Sequence, residues 1–365
     1  MRVIISAGGT GGHIYPALAI INCIKKKEPD SEFLYIGTHN RMEKDIIPGY
    51  GIPYKGIEIY GFQGKNILKN VKAFNCFFGR LHECKKIIKE FNPDIVIGVG
   101  GYVTGPVVFA AQKLGYKTFI HEQNSIPGKS NMFLSKKCNK IGVSFESTLK
   151  YFKDGKAVFT GNPVSDNALE VEAVPKSTFG LSKDKKLVYI VMGSLGSSKV
   201  TEYLISTMSN FEGKNYEVMF VTGKNVYDMV KDLSFPSNVF VLPYIDNQAK
   251  ILKSVDLMVT RCGASTLSEM IALDIPSILI PSPYVANNHQ YKNAMDLCNK
   301  NAAILLEEKD LVGNNLADLI DKTINDSAKL SEMKKNLESL YIPNSADRIY
   351  NILKDLVDEN ERKVN

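Results

Sequence analysis

The segment Gly8-Gly9-Thr10-Gly11-Gly12-His13 brings backbone freedom, a hydroxyl and an imidazole into one short stretch. Glycine-rich backbone after a strand exposes N–H groups, and a helix starting there presents its positive end to a phosphate. His13 adds a ring that is neutral near pH 7 and able to take a proton from a sugar hydroxyl. A capping histidine is the ordinary alternative. The spacing fails the dinucleotide fingerprint: a third glycine counted from Gly9 would fall at Ile14, and residues 36–38 offer no ribose-binding acid. Gly98-Val99-Gly100-Gly101-Tyr102-Val103 fails likewise at Val103, and Gly128-Lys129-Ser130 lacks the first glycine of a P-loop. Around Ser194 the pattern Met-Gly-Ser-Leu-Gly gives no nucleophile elbow. Each loop alone reads as a tight strand–helix turn, but three of them together favour phosphate or sugar contact.

Three further polar groups stand at segment ends. His121-Glu122-Gln123-Asn124 closes an apolar run, at the edge where parallel sheets bind ligands; Glu122 is a second candidate base, and capping of the next segment is the ordinary alternative. Arg261-Cys262-Gly263-Ala264-Ser265-Thr266-Leu267-Ser268-Glu269 follows another run. Its residues 264–266 would offer N–H groups to a diphosphate, and Glu269, one turn in, would accept two ribose hydroxyls; a capping acid is the bland reading. Asn287-Asn288-His289-Gln290-Tyr291 supplies amides suited to sugar hydroxyls. The segment 64–89 differs in kind. Ile67, Leu68, Val71, Phe74, Phe77, Phe78 and Leu81 recur on a helical period, with Lys65, Lys69, Lys72 and Arg80 interleaved. That pattern suits an anionic membrane surface, though a core-facing helix with a solvated lysine face fits it equally.

The elements that must hold these residues are legible as short β-branched runs alternating with helical periods. Strands are predicted at 3–7, 33–36, 95–99, 118–121, 141–143, 157–159, 187–192, 217–221, 239–242, 257–259 and 277–280. Continuous apolar strands between helices imply parallel sheets covered on both faces, an α/β class. The strand-to-glycine opening at 3–12 is repeated at 187–197, which predicts two doubly wound domains with a cleft between them. They are expected at 1–162 and 163–343, joined by an aperiodic linker over 161–176 with Pro163 and Pro175, and a last amphipathic helix falls at 344–365. The length of 365 residues suits two domains, and an apolar fraction of 44% with 23% charged residues excludes disorder and collagen-like repeats. A net charge of +6 is too mild to predict nucleic-acid binding and favours an anionic substrate or membrane surface. Cys23, Cys76, Cys84, Cys138, Cys262 and Cys298 show no metal spacing and read as reduced cytosolic thiols. No signal-like or membrane-spanning run is visible.

Taken in order, Gly8–His13, the 100–106 stretch Gly-Gly-Tyr-Val-Thr-Gly-Pro, His121-Glu122-Gln123-Asn124, Gly161-Asn162-Pro163-Val164 and the 263–269 helix entrance resemble the lipid II-forming N-acetylglucosaminyltransferases of glycosyltransferase family 28. The likeness runs over nearly the whole chain. It implies a GT-B fold, with UDP-GlcNAc held mainly by the C-terminal domain, lipid I (undecaprenyl-pyrophosphoryl-MurNAc-pentapeptide) by the N-terminal one, and the last helix packing back on the latter. By position, the family's donor contacts fall on Thr10, Gly11, Gly12, Asn124, Ser194, Ile245, Ala264, Ser265, Thr266, Leu267, Ser268, Glu269 and Gln290. Departures from the family pattern are Ser165, where some members place a diphosphate-pairing arginine, and Leu195 and His289, where glutamine is common. The basic aromatic stretch further leads us to expect peripheral attachment at the cytoplasmic face of the membrane, through Ile67, Leu68, Lys69, Val71, Lys72, Phe74 and Phe78.

Transfer with inversion from an α-linked nucleotide sugar is one in-line displacement, needing a base for the acceptor hydroxyl and an anion hole for departing UDP. No D-x-D occurs in the chain, so no metal–diphosphate clamp and no cofactor is expected, and helix N-termini must stabilise the leaving group. His13 and Glu122 are the two candidate bases. A UDP-sugar epimerase, another GT-B glycosyltransferase acting on a lipid-linked acceptor, and a non-catalytic binding module are the competing readings.

Overall fold

A computed structural model of the chain describes all residues except 61–66, 154, 194, 195, 246 and 365, and side chains other than those of 67–77 and 360–364. Thirteen strands are described. They are β1 (Arg2–Ala7), β2 (Glu32–Thr38), β3 (Tyr54–Ile57), β4 (Ile95–Gly100), β5 (Lys117–Glu122), β6 (Lys140–Val143), β7 (Ala157–Phe159), β8 (Lys186–Val191), β9 (Tyr216–Val221), β10 (Val239–Leu242), β11 (Leu257–Thr260), β12 (Ser277–Leu279) and β13 (Ile304–Leu305). The first sheet runs β3-β2-β1-β4-β5-β6-β7 and the second β10-β9-β8-β11-β12-β13, every pairing parallel. In both sheets the order reverses beside the first-formed strand, so glycine loops leave neighbouring strand ends at the edge where doubly wound sheets bind ligands.

Alternation along β1 shows why the run is apolar throughout. Val3, Ile5 and Ala7 pack with Ile14, Ile21 and Ile24 of the helix Gly11–Lys27, while Ile4 turns to Ile88, Val107 and Val108 on the opposite face. The first face is completed by Ile349, Leu353, Leu356 and Val357 of the helix Ser345–Val364. The second sheet has its own core, in which Val188, Ile190 and Val259 meet Val200, Leu204 and Ile320. Contacts accordingly divide the chain into two compact units, Met1–Val164 with Pro343–Asn365, and Ser165–Ile342.

Eleven strands lie where periodicity predicts them. β3 and β13 were not anticipated: β3 reads Tyr-Lys-Gly-Ile at a sheet edge, with no apolar run, and β13 spans two residues. The aperiodic linker expected over 161–176 is corrected as well. It holds the helix Val164–Glu170, in which Val164 and Ala168 are buried one turn apart, and the single turn Lys176–Phe179. Asn162 Oδ1 accepts from the Val164 amide at 3.4 Å at the helix start. Seven residues are too few for a helical period to stand out. Among the described residues no helix is long and apolar enough to cross a membrane.

Candidate functional site

In the first unit the loop after β1 is built around one ring and one carboxylate. Thr10, extended and exposed, is the N-cap of the helix Gly11–Lys27, so Gly11, Gly12 and His13 form its first turn. His13 is half-buried, with Nδ1 3.1 Å from the Gly8 carbonyl oxygen and 3.4 Å from Thr10 Oγ1. A carbonyl can only accept, and the hydroxyl can do either. The neutral ring therefore carries its proton on Nδ1 and its basic lone pair on Nε2.

The second glycine pair makes the seat for this ring. At the end of β4 the register with β1 slips by one residue, Ser6 facing Gly98 but Ala7 facing Gly100, and Gly100 and Gly101 take φ of +116° and +84°. A Cβ on Gly100 would lie 2.5 Å from His13 Cδ2, and one on Gly101 would lie 2.3 Å from the Gly8 carbonyl oxygen. The Thr104 hydroxyl sits between the Ser6 and Gly100 carbonyls, at 3.0 and 2.8 Å, and fixes the bulge. Gly100 and Gly101 thus serve close approach of protein groups.

Glu43, unremarked in the sequence, closes this loop from the other side. Its side chain is fully buried; Oε1 accepts from the Thr38 amide at 2.9 Å and the Thr38 hydroxyl at 2.6 Å, and Oε2 accepts from the Gly9 amide at 3.1 Å. Gly8 has to be glycine here, since a Cβ would meet Glu43 Oε1 at 2.3 Å.

The last residues of β5 organise the loop that follows it. His121 is fully buried, its Nε2 3.0 Å from the Gly161 carbonyl and its Nδ1 3.0 Å from Gln123 Nε2, and burial pushes its pKa down to about 4. It is a neutral structural ring. Glu122 is buried with four donors on its carboxylate: the Asn124 amide and Asn124 Nδ2 on Oε1, the Gly128 amide and Asn131 Nδ2 on Oε2, at 2.8–3.2 Å. Those four donors make Glu122 the organiser of the 124–131 loop. Asn124, half-buried, is held in turn by the Thr148 hydroxyl on its carbonyl, at 3.1 Å.

In the second unit the candidate site lies at the entrance of the helix Ala264–Ala272. Gly263 caps it in an extended conformation with no side-chain bond to the first turn. The Ser265 hydroxyl is buried there with no partner among the described residues. A helix end with spare donors is a ready anion site. Glu269 is half-buried, and Gln248 Nε2 donates to its Oε2 at 3.0 Å; burial outweighs that bond and pushes its carboxyl up to about 7. Leu267 is buried with its amide bonded to the Gly263 carbonyl, and Ser268 is buried with its hydroxyl donating to the Ala264 carbonyl at 2.8 Å. Thr266 is half-buried and Ile245 buried.

Gln290, in the first turn of the helix His289–Cys298, accepts the Ser282 amide at 2.8 Å and the Cys262 amide at 3.3 Å on its Oε1, tying the loops after β11 and β12 together. His289 bonds the Ala286 carbonyl through Nδ1 at 2.9 Å. Arg261 has a role the motif did not reveal. Its buried guanidinium donates to Glu308 Oε2 at 2.5 Å, Ser197 Oγ at 2.8 Å and the Ile280 carbonyl at 3.2 Å, so it pins three strand ends. Beside it lies a cavity of about 220 Å³ whose wall includes Lys199, Pro281, Asn288, Tyr291 and Glu308.

Ser194 and Leu195 lie outside the described residues, as do the side chains of Ile67, Leu68, Lys69, Val71, Lys72 and Phe74. Phe78 is 49% exposed on the helix Ile67–Phe91, and Met132 and Phe133 are exposed on the short helix Lys129–Ser135. Ser165 is buried in the helix Val164–Glu170.

Two parallel-sheet units, each opening from its first strand through a glycine loop into a helix, define an α/β fold of the GT-B kind. The chain matches the glycosyltransferase family 28 N-terminal domain over residues 3–143 and the family's C-terminal domain over residues 187–349. It belongs to glycosyltransferase family 28. Among curated relatives, it is 47% identical over 362 residues to UDP-N-acetylglucosamine--N-acetylmuramyl-(pentapeptide) pyrophosphoryl-undecaprenol N-acetylglucosamine transferase 1 of Bacillus cereus, covering 98% of this chain and 100% of that protein. The transferase from Bacillus licheniformis, named for the same donor and acceptor, is 46% identical over 98% of this chain and 99% of its own. The crystal structure of Acinetobacter baumannii MurG superposes with a TM-score of 0.78 at 25% identity, over 97% of this chain and 99% of that one. A UDP-GlcNAc 2-epimerase from Neisseria meningitidis shares the fold alone, with a TM-score of 0.67 at 13% identity over 97% of this chain and 100% of that one.

Proposed function

We propose that this chain transfers GlcNAc from UDP-GlcNAc to the C4 hydroxyl of MurNAc in undecaprenyl-pyrophosphoryl-MurNAc-pentapeptide, the step that makes lipid II for peptidoglycan. The observation that carries the reading is 47% identity, end to end, with a transferase named for that donor and acceptor. The epimerase reading rests on fold alone and is not favoured.

The unit Ser165–Ile342 takes the donor: the spare amides and Ser265 hydroxyl at the Ala264 helix entrance receive the diphosphate, and Glu269 accepts the ribose hydroxyls. His13 Nε2 takes the proton as the acceptor oxygen attacks the anomeric carbon. The bond from that carbon to the β-phosphate oxygen breaks, and UDP leaves with its charge held at the helix end. The unit that opens and closes the chain takes lipid I and rests on the anionic cytoplasmic face of the membrane, with exposed Phe78, Met132 and Phe133 supporting that placement.

UDP release from UDP-GlcNAc, measured with and without a lipid I analogue, tests the reading. Release should depend on the acceptor and yield a disaccharide, and His13→Ala should lower kcat by about 10²–10⁴ with UDP affinity retained. Conversion of UDP-GlcNAc to its 2-epimer without acceptor would sink it.

A further inference from the structure

The Gly8–Gly9 peptide is bonded at both ends to chemistry-bearing side chains. Its N–H, on Gly9, donates to Glu43 Oε2 at 3.1 Å, and its C=O, on Gly8, lies 3.1 Å from His13 Nδ1. Carboxylate, peptide plane and imidazole therefore form one unbroken chain of hydrogen bonds. We propose that Glu43 is a positioning residue for His13, acting through this single peptide. The inference rests on the reading of His13 as the base.

The physical argument has three parts. A hydrogen bond from an amide N–H to a charged acceptor is stronger than one to a neutral acceptor, and it polarises the amide so that its carbonyl accepts more strongly. A stronger acceptor at Nδ1 holds the proton there, which keeps the lone pair on Nε2 and stabilises the imidazolium formed when Nε2 takes a proton. A buried carboxylate that fixes an imidazole tautomer recurs in catalytic sites; here a peptide plane stands between the two.

The surroundings leave little freedom to this chain. Glu43 is fully buried, Gly8 packs against its Oε1, and Gly101 packs against the Gly8 carbonyl. A carboxylate is also required by donor count. The Thr38 amide and hydroxyl occupy one oxygen and the Gly9 amide the other. A glutamine has one oxygen, so satisfying Thr38 turns its NH2 group against the Gly9 N–H.

The experiment combines ¹⁵N spectroscopy of the His13 ring with a double-mutant cycle in the full chain. In the unaltered protein the neutral ring should be the Nδ1–H tautomer. Glu43→Gln should raise the Nε2–H tautomer and lower kcat about tenfold, with UDP affinity unchanged. Combined with His13→Ala it should cost nothing beyond His13→Ala alone. Glu43→Asp, which keeps the charge but shortens the reach, should shift the tautomer in the same direction and serves if the glutamine variant does not fold. An Nε2–H ring in the unaltered protein overturns the proposal without any variant. So does an unchanged tautomer in either variant, or a kcat loss that adds to that of His13→Ala. A full-rate His13→Ala enzyme would instead overturn the base reading, a result distinct from the tautomer measurement.

Discussion

In the proposed role of Glu269 as ribose acceptor, its burial gives donor binding a pH signature. Its carboxyl is raised to about 7 in the free protein, whereas an exposed glutamate titrates near 4.3. Ribose hydroxyls need the ionised form, so the KM for UDP-GlcNAc should rise as pH falls through about 7, with flat behaviour above. Glu269→Ala should raise that KM tenfold or more at pH 8, a difference of about 1.4 kcal/mol per decade; an unchanged KM returns Glu269 to a capping role. Stability runs the other way. A raised carboxyl destabilises the fold once ionised, so stability contributed below about pH 4.5 is lost as pH rises through about 7. Glu269→Gln should accordingly raise the Tm of the unliganded protein more at pH 8 than at pH 5, which scanning at the two pH values reads directly. Gly100→Ala is the matching probe in the other unit. It forces an L side chain to φ +116° and its methyl into the His13 ring, so kcat should fall while calorimetric UDP binding holds. Equal kcat would remove the seat argued for that ring.

At the scale of elements, the strands that pack on both faces were legible because burial leaves an apolar run such as Val3-Ile4-Ile5 in the sequence. β3 was not, since an edge strand of Tyr-Lys-Gly-Ile needs no such run. The glycine loops and Glu269 of the candidate site stand out in the sequence, and what holds them does not. Glu43 meets Gly9 across 34 residues, and Arg261 meets Glu308 across 47, separations that leave no mark on local spacing. The job of Gly100 depends on a one-residue slip between β1 and β4, which is a property of the pair of strands. Surface helices raise the remaining question of membrane attachment. Phe78→Ser with Phe133→Ser should weaken binding to anionic vesicles and leave UDP affinity unaltered, as sedimentation of vesicle-bound protein would show. Retained binding would assign the basic helical segment to the core.

For the whole molecule, the return of the chain to its first unit is the governing fact. Leu353 is fully buried in the cluster around β1 and the helix Gly11–Lys27. Leu353→Ala should cost about 2–5 kcal/mol, visible as a lower denaturation midpoint of that unit; a neutral effect would mean the last helix is dispensable for its core. The same return has a consequence in time. The seven strands of the first sheet have all been made by residue 159, but the apolar side of the helix Gly11–Lys27 is covered only when residues 349–357 arrive. At about 5–20 residues per second, the ribosome adds the intervening roughly 190 residues in on the order of ten to forty seconds. Throughout that interval the nascent chain carries a finished sheet with one flank bare. A chaperone that guards this flank during translation, and lets go once the terminus emerges, would meet a need written into the order of the elements.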